Sequence, residues 1–187
     1  KFDCVCISSS GVRYKNITAH QRSDIRVNEF NSVMDFIGIK NHWIFETFGV
    51  PPFISQIKRY FWDYIDTLDT QKYDYIFLPH PNDNHPEHRF ITNILMKQIL
   101  RKNGFNKDAV IVFYEVLEPV SNANCYYCFN EDTMNKKIRA LNMYKSQNVS
   151  IKYSDCIKGL NKYRGMLAGN KQYAEAYKLV PINMYVG

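Results

Sequence analysis

The segment YIFLPHPNDNHPEHRF, residues 75–90, contains three of the five histidines of this 187-residue sequence. His85 and His88 are three positions apart, so they lie near one face of a helical turn if a helix begins at Pro86, where proline is favoured. Imidazole titrates near neutral pH and binds zinc, so one histidine could bind a metal while the other transfers a proton. A catalytic zinc ion needs about three protein ligands and one open position. From spacing alone, a polar helix cap with surface histidines is an equally good explanation.

Strands and helices are predicted on both sides of this segment. Apolar and alternating patterns predict strands at residues 1–7, 73–79, 109–116 and 122–130. Helical periodicity predicts helices at residues 22–38, 53–68, 86–104 and 133–147. Residues 153–180 are predicted to be mainly helical, with glycine breaks. The alternation predicts an α/β fold, namely a Rossmann-like, doubly wound and mostly parallel sheet flanked by helices, in one domain spanning residues 1–187.

Polar residues follow two of the predicted strands, in SSSGVRY and in PHPNDNHPEH. Ligand sites in open α/β sheets lie at the carboxyl ends of strands, so these two loops could face one crevice. Tyr114 ends a further strand and could line this crevice, although packing explains it as well. Arg164 could contact a substrate from the C-terminal segment, or Arg164 and Gly165 could simply break a helix. The nucleotide-binding fingerprint GxGxxG and the P-loop are absent from the sequence.

Five segments, in order and over nearly the whole chain, resemble one protein family. PHPNDNHPEH resembles the P-x-x-x-D-x-H-x-D-H signature of the PIG-L/LmbE-like zinc-dependent de-N-acetylases, and VIVFYEV resembles the strand that follows it. RVNEFNSVMDFIGI resembles the family's R-x-x-E helix, KKIRALNMYKSQ its K-x-x-A-L-x-x-Y-x-S-Q helix, and RGMLAGNKQYAEAYKL its closing segment. The resemblance implies a zinc-dependent hydrolase that removes an acetyl group from an N-acetylated amino sugar or its conjugate.

The resemblance also implies roles for individual residues. His88 matches a zinc-binding histidine, and His85 matches the catalytic histidine that donates a proton and stabilises the tetrahedral intermediate. Asp83 matches the first acid of the signature and would either shape the loop or support a histidine without binding the metal. Glu87 stands where the family usually has aspartate, and its longer carboxylate could still orient a histidine by a hydrogen bond. Arg26 matches an arginine that can reach the substrate, and a guanidinium suits a polar sugar or a phosphate.

The sequence departs from the family at its first signature, P-H-P-D-D-E, which supplies two zinc ligands and the general base. No such motif precedes Arg26, and KFDCVCISSSG resembles the family's second strand, so we expect the first βα unit to be missing. PHPND at residues 79–83 imitates the motif, but Asn82 cannot act as a general base. A substitute metal site through His80 and Asp83 is the less favoured explanation. We expect this chain alone to be inactive, and the alternative function is a non-catalytic relative that keeps the fold as a sugar-binding or structural module.

The composition limits partners and compartment. The formal charge is +6, but the lysines are scattered and form no stripe, so no nucleic-acid partner is predicted. No apolar run approaches the roughly 18 residues of a membrane span. Five cysteines without a visible secretory signal favour reduced thiols and a cytoplasmic location, and the C-x-x-C at Cys125 and Cys128 is interpreted as ordinary strand thiols. A homo-oligomer is possible.

Overall fold

The computed structural model of the protein describes residues 2–9, 14–46, 54–101, 105–149 and 151–185. The chain divides into two compact units, residues 1–61 with 129–163 and residues 62–128 with 164–187. The strands are β1 (Asp3–Cys6), β2 (Asn41–Ile44), β3 (Tyr75–Pro79), β4 (Val110–Tyr114), β5 (Cys125–Phe129) and β6 (Tyr173–Pro181). The helices are α1 (Ala19–Ile37), α2 (Ile54–Thr67), α3 (Pro86–Arg101), α4 (Glu131–Met143) and α5 (Tyr153–Leu167). Short 3-10 turns cover Thr70–Lys72 and Ile182–Met184.

In the first unit, β1 and β2 form a parallel pair beside α1. Helix α1 begins after Thr18, whose side-chain oxygen accepts a hydrogen bond from the main-chain N–H of Gln21 at 3.1 Å. The side chain of Gln21 accepts one in return from the main-chain N–H of Thr18 at 2.8 Å. This reciprocal capping box fixes the start of the helix. Gly38 ends the helix in the left-handed conformation, with φ of 81°, as the sequence predicts.

A small apolar core in the first unit consists of Phe30, Val33 and Met34 on α1. Cys4 and Cys6 on β1 pack against this core. Burial, and then the neighbouring Cys6 thiol, raises the pKa of Cys4 to about 11, so this thiol is protonated at neutral pH. Both cysteines are free, and their position is that of small apolar core residues.

The second unit contains a four-stranded sheet in the order β3-β4-β6-β5. Strand β4 pairs in parallel with β3 and antiparallel with β6. Helix α3 packs on β3, and the side-chain hydroxyl of Thr92 donates a hydrogen bond of 2.8 Å to the carbonyl of Pro79 at the end of that strand. The buried apolar residues of these elements include Leu78, Ile94, Leu95, Ile99, Ile111, Val112 and Phe113 on β3, α3 and β4, and Tyr173, Ala174 and Ala176 on β6.

The predicted α/β fold with a mostly parallel sheet is confirmed, and two elements differ from their predictions. Strand β2 was not predicted, because NHWI is short and lacks an apolar alternation. Strand β6 lies where a helix was predicted. Gly169 and Asn170, with φ of 88° and 59°, end α5, and the following segment pairs with β4.

The structure does not describe the predicted starts of the first strand at Lys1 and of the second helix at Phe53, nor residues 102–104, where the third helix is predicted to end. None of the helices within the described residues combines the length and the apolar character needed to cross a bilayer.

Candidate active site after strand β3

The loop that follows β3 is held in place by main-chain hydrogen bonds. The N–H of His80 donates to the carbonyl of Tyr114, the last residue of β4, at 3.0 Å. The N–H of Asp83 donates back to the carbonyl of His80 at 2.9 Å, which closes a tight turn. Helix α3 then begins at Pro86, as predicted. The loop therefore starts and ends at regular elements, so the side chains on it have defined positions.

Asp83 is the fully buried centre of this loop, with 0% of its surface exposed. Its Oδ1 accepts hydrogen bonds from the main-chain N–H of His85 at 2.8 Å and from Nδ1 of His88 at 2.9 Å. Its Oδ2 accepts hydrogen bonds from the main-chain N–H groups of Leu117 at 2.9 Å and Glu118 at 3.3 Å. The Asp83 carboxylate thus connects the loop between β3 and α3, the first turn of α3 and the loop after β4.

The surroundings of Asp83 favour its charged form. Burial by itself raises the pKa of this carboxyl, but the hydrogen bonds from His85, Leu117, His88 and Glu118 outweigh burial, and the pKa is lowered. Asp83 is therefore an ionised acceptor at neutral pH.

The hydrogen bond from Asp83 determines what the His88 ring can do. Because the carboxylate accepts from Nδ1, the proton of a neutral His88 ring lies on Nδ1 and the lone pair lies on Nε2. The side chain of His88 is 25% exposed, so the ring is accessible. This is the carboxylate–histidine arrangement that prepares an imidazole nitrogen for a metal ion or for accepting a proton.

His85 lies beside His88. The two ring centroids are 4.7 Å apart, and the ring planes are tilted by 34°. Its Nδ1 atom is buried and has no hydrogen-bond partner within the described residues. A buried, unpaired ring nitrogen is unfavourable, and buried polar atoms are nearly always hydrogen-bonded.

Other side chains shape the same loop. A guanidinium nitrogen of Arg89 donates to the main-chain oxygen of Asp83 at 2.6 Å, and the Asn84 side chain donates to the Glu118 carboxylate. Glu87 lies half-buried in the first turn of α3. Asp83 contacts His88 directly, and the orienting roles of Asp83 and Glu87 stay predictions.

The structure brings Asp83, His85 and His88 together in the second unit. Tyr114 ends β4, and its carbonyl oxygen holds the main chain of the histidine loop. Arg164 is 6% exposed; its guanidinium contacts the Glu115 carboxylate through Nε at 3.3 Å and also through Nη2. The same Nη2 donates to the carbonyl of Val120 at 2.8 Å. This ion pair connects α5 to the segment that follows β4, and substrate binding by Arg164 stays a prediction.

Arg26 lies on α1 in the first unit. Its guanidinium lies over the ring of Tyr144 at 5.0 Å, and its Nη1 is 3.7 Å from the Glu29 carboxylate. The contact of Arg26 with a substrate stays a prediction.

Sequence reasoning did not single out the main-chain N–H groups of Leu117 and Glu118 that donate to Asp83, because a main-chain N–H has no signature of its own.

The ligands present within the described residues do not complete a zinc site. No group of three histidine, cysteine, aspartate or glutamate residues there could hold a metal ion. The substitute site through His80 and Asp83 belongs to no such group of three among the described residues. Both Asp83 oxygens accept hydrogen bonds, and Nδ1 of His80 accepts one from the main-chain N–H of Asn82 at 3.3 Å. Cys125 and Cys128 are three positions apart on β5, and this spacing turns them to opposite faces of the strand.

No family model matches the sequence, and no curated protein matches it either. Solved structures share its fold. The N,N'-diacetylchitobiose deacetylase of Pyrococcus horikoshii has a TM-score of 0.77 and 19% identity, over 97% of this chain and 73% of that chain. A deacetylase of an antimicrobial pseudoaglycone has a TM-score of 0.61 and 14% identity, over 96% and 86% of the two chains.

The fold is also found in a protein with a different reaction. GalB, the 4-carboxy-2-hydroxymuconate hydratase of Pseudomonas putida, has a TM-score of 0.60 and 15% identity, over 94% of this chain and 82% of that chain. At these identities the comparisons show a common fold. The reaction of this chain must therefore be argued from its own residues.

Proposed function

We propose that the chain is a deacetylase-type hydrolase of the PIG-L/LmbE-like family, acting on an N-acetylated amino sugar or its conjugate. The observation that carries the proposal is the pairing of His88 with the buried, ionised Asp83, directly beside His85. These three residues occupy the conserved letters of the resembled signature, and their contacts suit the roles that the resemblance implies. Solved deacetylases with the same fold support the reaction class.

In the proposed amide hydrolysis, the residues of the candidate site have the following roles. Water adds to the acetyl carbon and loses a proton, the carbon–nitrogen bond breaks, and the leaving amine gains a proton. In this scheme His85 donates a hydrogen bond to the carbonyl oxygen as charge develops there and then gives its proton to the amine, and the proton lost by water restores the one on His85. Asp83 holds the proton of His88 on Nδ1, so that Nε2 keeps a lone pair directed away from the carboxylate.

Zinc belongs to the proposed function as the cofactor implied by the resemblance. When bound, zinc polarises a carbonyl and lowers the pKa of a water molecule. Among the described residues, Nε2 of His88 is the one prepared ligand, and a complete set of three is not formed. We therefore expect residues 1–187 alone to bind zinc weakly and to have little deacetylase activity.

The test is acetate release from N-acetylglucosamine conjugates by the wild-type chain, with and without added zinc, and by His85→Ala. We expect His85→Ala to lower kcat by roughly 10²-fold, since a positioned proton donor contributes about that much. His20→Ala, at an exposed position of α1, is the matched control and should retain the wild-type rate. Measurable acetate release by wild type that His85→Ala leaves unchanged would remove His85 from the chemistry.

The second candidate function is a non-catalytic sugar-binding module. The incomplete ligand set within the described residues is the observation that favours it. This function requires binding of an N-acetyl sugar, measured by calorimetry, with no acetate released at any zinc concentration.

A further inference from the structure

The loop after β4, residues 115–119, exposes its apolar side chains, while its acidic side chains have partners. Val116 and Leu117 are 36% and 50% exposed, and Pro119 is exposed as well. Loops at a protein surface usually show the opposite arrangement, because charged groups are stable in water and aliphatic groups are more stable away from it. A single exposed leucine is ordinary, but three exposed apolar side chains within four positions favour a role in binding.

Both glutamates of this loop are held by other side chains of the second unit. The carboxylate of Glu115, whose side chain is 6% exposed, is paired with Arg164 and accepts a hydrogen bond from the main-chain N–H of Val120 at 2.8 Å. The carboxylate of Glu118 accepts a hydrogen bond from the side chain of Asn84. These contacts lie on both sides of Val116 and Leu117 in the sequence, so the exposed aliphatic side chains stand on a fixed main chain.

Leu117 lies next to the candidate active site. Its main-chain N–H donates to Oδ2 of Asp83 at 2.9 Å, and Oδ1 of the same carboxylate accepts the hydrogen bond from His88. One carboxylate group therefore separates the main chain of Leu117 from the imidazole ring of His88. An apolar surface held in place beside a few polar groups is the usual composition of a small-molecule site.

We propose that Val116 and Leu117 bind an apolar group carried by the amino-sugar conjugate, and thereby select conjugates with an alkyl or aryl group over the plain sugar. The inference rests on the proposed function, since that function places the N-acetyl group at His85 and His88. Acetyl offers a single methyl group, which is too small to cover both aliphatic side chains, so the apolar group belongs to the conjugate. Covering these side chains removes apolar surface from water and stabilises the complex.

The test is isothermal calorimetry with the hexyl and the methyl β-glycosides of N-acetylglucosamine. We expect the wild-type chain to bind the hexyl glycoside about tenfold more tightly, because additional methylene groups leave water. Leu117→Asn should reduce this preference to about twofold, because it replaces the apolar contact with an amide. Leu167→Asn is the matched control, since Leu167 on α5 is 46% exposed against 50% for Leu117, and it should keep the wild-type preference.

A conservative variant and a folding check make the result specific. Leu117→Met retains an apolar side chain and should keep most of the preference, and circular dichroism with thermal melting establishes that each variant is folded. A hexyl glycoside bound no more tightly than the methyl glycoside, or a preference that Leu117→Asn leaves at the wild-type value, would overturn the proposal. So would tighter binding of the methyl glycoside of N-hexanoylglucosamine than of the hexyl glycoside, because the apolar group would then belong to the amide.

Acetate release, measured separately, distinguishes this inference from the proposed function. Acetate release without a preference for the hexyl glycoside would overturn the inference and leave the deacetylase in place. A preference that depends on Leu117, with no acetate released at any zinc concentration, would support the apolar contact as part of a sugar-binding module and contradict the deacetylase.

Discussion

Oδ1 of Asp83 and Nδ1 of His88 are 2.9 Å apart, across the junction between the loop after β3 and the first turn of α3. The same carboxylate accepts three main-chain N–H groups. Asp83 therefore stabilises the loop and, at the same time, determines which nitrogen of His88 has the lone pair. One buried side chain thus contacts both the main chain of the loop and the His88 ring.

Asp83→Asn should destabilise the protein. Every neighbour of the carboxylate is an N–H donor, so the NH2 group of asparagine must face one of them and leave a buried donor unpaired. The expected loss in the free energy of unfolding is about 3 kcal/mol, measured by urea denaturation. Asp108→Asn, at an exposed position, is the matched control and should change it by less than about 0.5 kcal/mol. Similar losses in the two variants would contradict the central role of Asp83.

The lowered pKa of Asp83 also predicts a pH dependence. A carboxyl whose pKa is lower in the folded state adds stability above its unfolded pKa of about 3.9, and this stability is lost as the pH falls through the folded pKa. Wild type should therefore lose more unfolding free energy than Asp83→Asn on acidification from about pH 5 to pH 2. Parallel pH profiles of the two proteins, followed by denaturation at each pH, would show that Asp83 does not titrate in this way.

The sequence predicts the parts of the fold that have local signals. Helix α1 is predicted by its apolar period and by Gly38, and α3 by Pro86 after a polar loop. Strand β6 is not predicted, because alternating alanines between polar residues also suit a helix, and pairing with β4 decides the outcome. Long-range pairing of this kind cannot be read from a short window of sequence.

In the candidate site, too, the sequence predicts the features that have local signals and misses those that depend on long-range contacts. The spacing of His85 and His88 predicts neighbouring rings, and their centroids are 4.7 Å apart. The spacing alone leaves a polar helix cap as an equally good explanation, and the resemblance favours the candidate site. Two other features have no signature in the sequence. The main-chain N–H groups of Leu117 and Glu118 reach Asp83 through a contact between distant segments, and Nε of Arg22 is unpaired within the described residues because of its burial in the fold.

His88→Ala tests the metal-binding prediction. Nε2 of His88 is the ligand prepared by Asp83, so any zinc held at this loop should be lost from the variant. The measurement is the zinc retained after dialysis against a fixed free-zinc concentration, with His20→Ala as the control for surface imidazoles. Zinc contents that are the same in wild type and His88→Ala would place the metal ligand elsewhere.

Arg164→Leu should be among the most destabilising substitutions in the second unit. It leaves the Glu115 carboxylate, whose side chain is 6% exposed, buried without its cation. Breaking a buried ion pair from one side costs about 3–5 kcal/mol. The double variant Glu115→Leu with Arg164→Leu removes both charges and should recover part of that loss in thermal and urea denaturation. A double variant less stable than Arg164→Leu would show that the charge left on Glu115 is not the source of the loss.

Two glycines of α5 should respond in opposite directions to alanine. A Cβ at Gly165 would overlap the carbonyl oxygen of Lys171 and lie 3.0 Å from the main chain of Tyr173, where β6 begins. Main-chain atoms cannot easily move aside, so Gly165→Ala should lower the free energy of unfolding by about 1–3 kcal/mol. A Cβ at Gly159 meets no atom within 4 Å, so Gly159→Ala should raise it by up to about 1 kcal/mol through helix propensity. Urea denaturation of both variants checks the signs, and a stabilising Gly165→Ala would mean that the end of α5 and the start of β6 are farther apart than described.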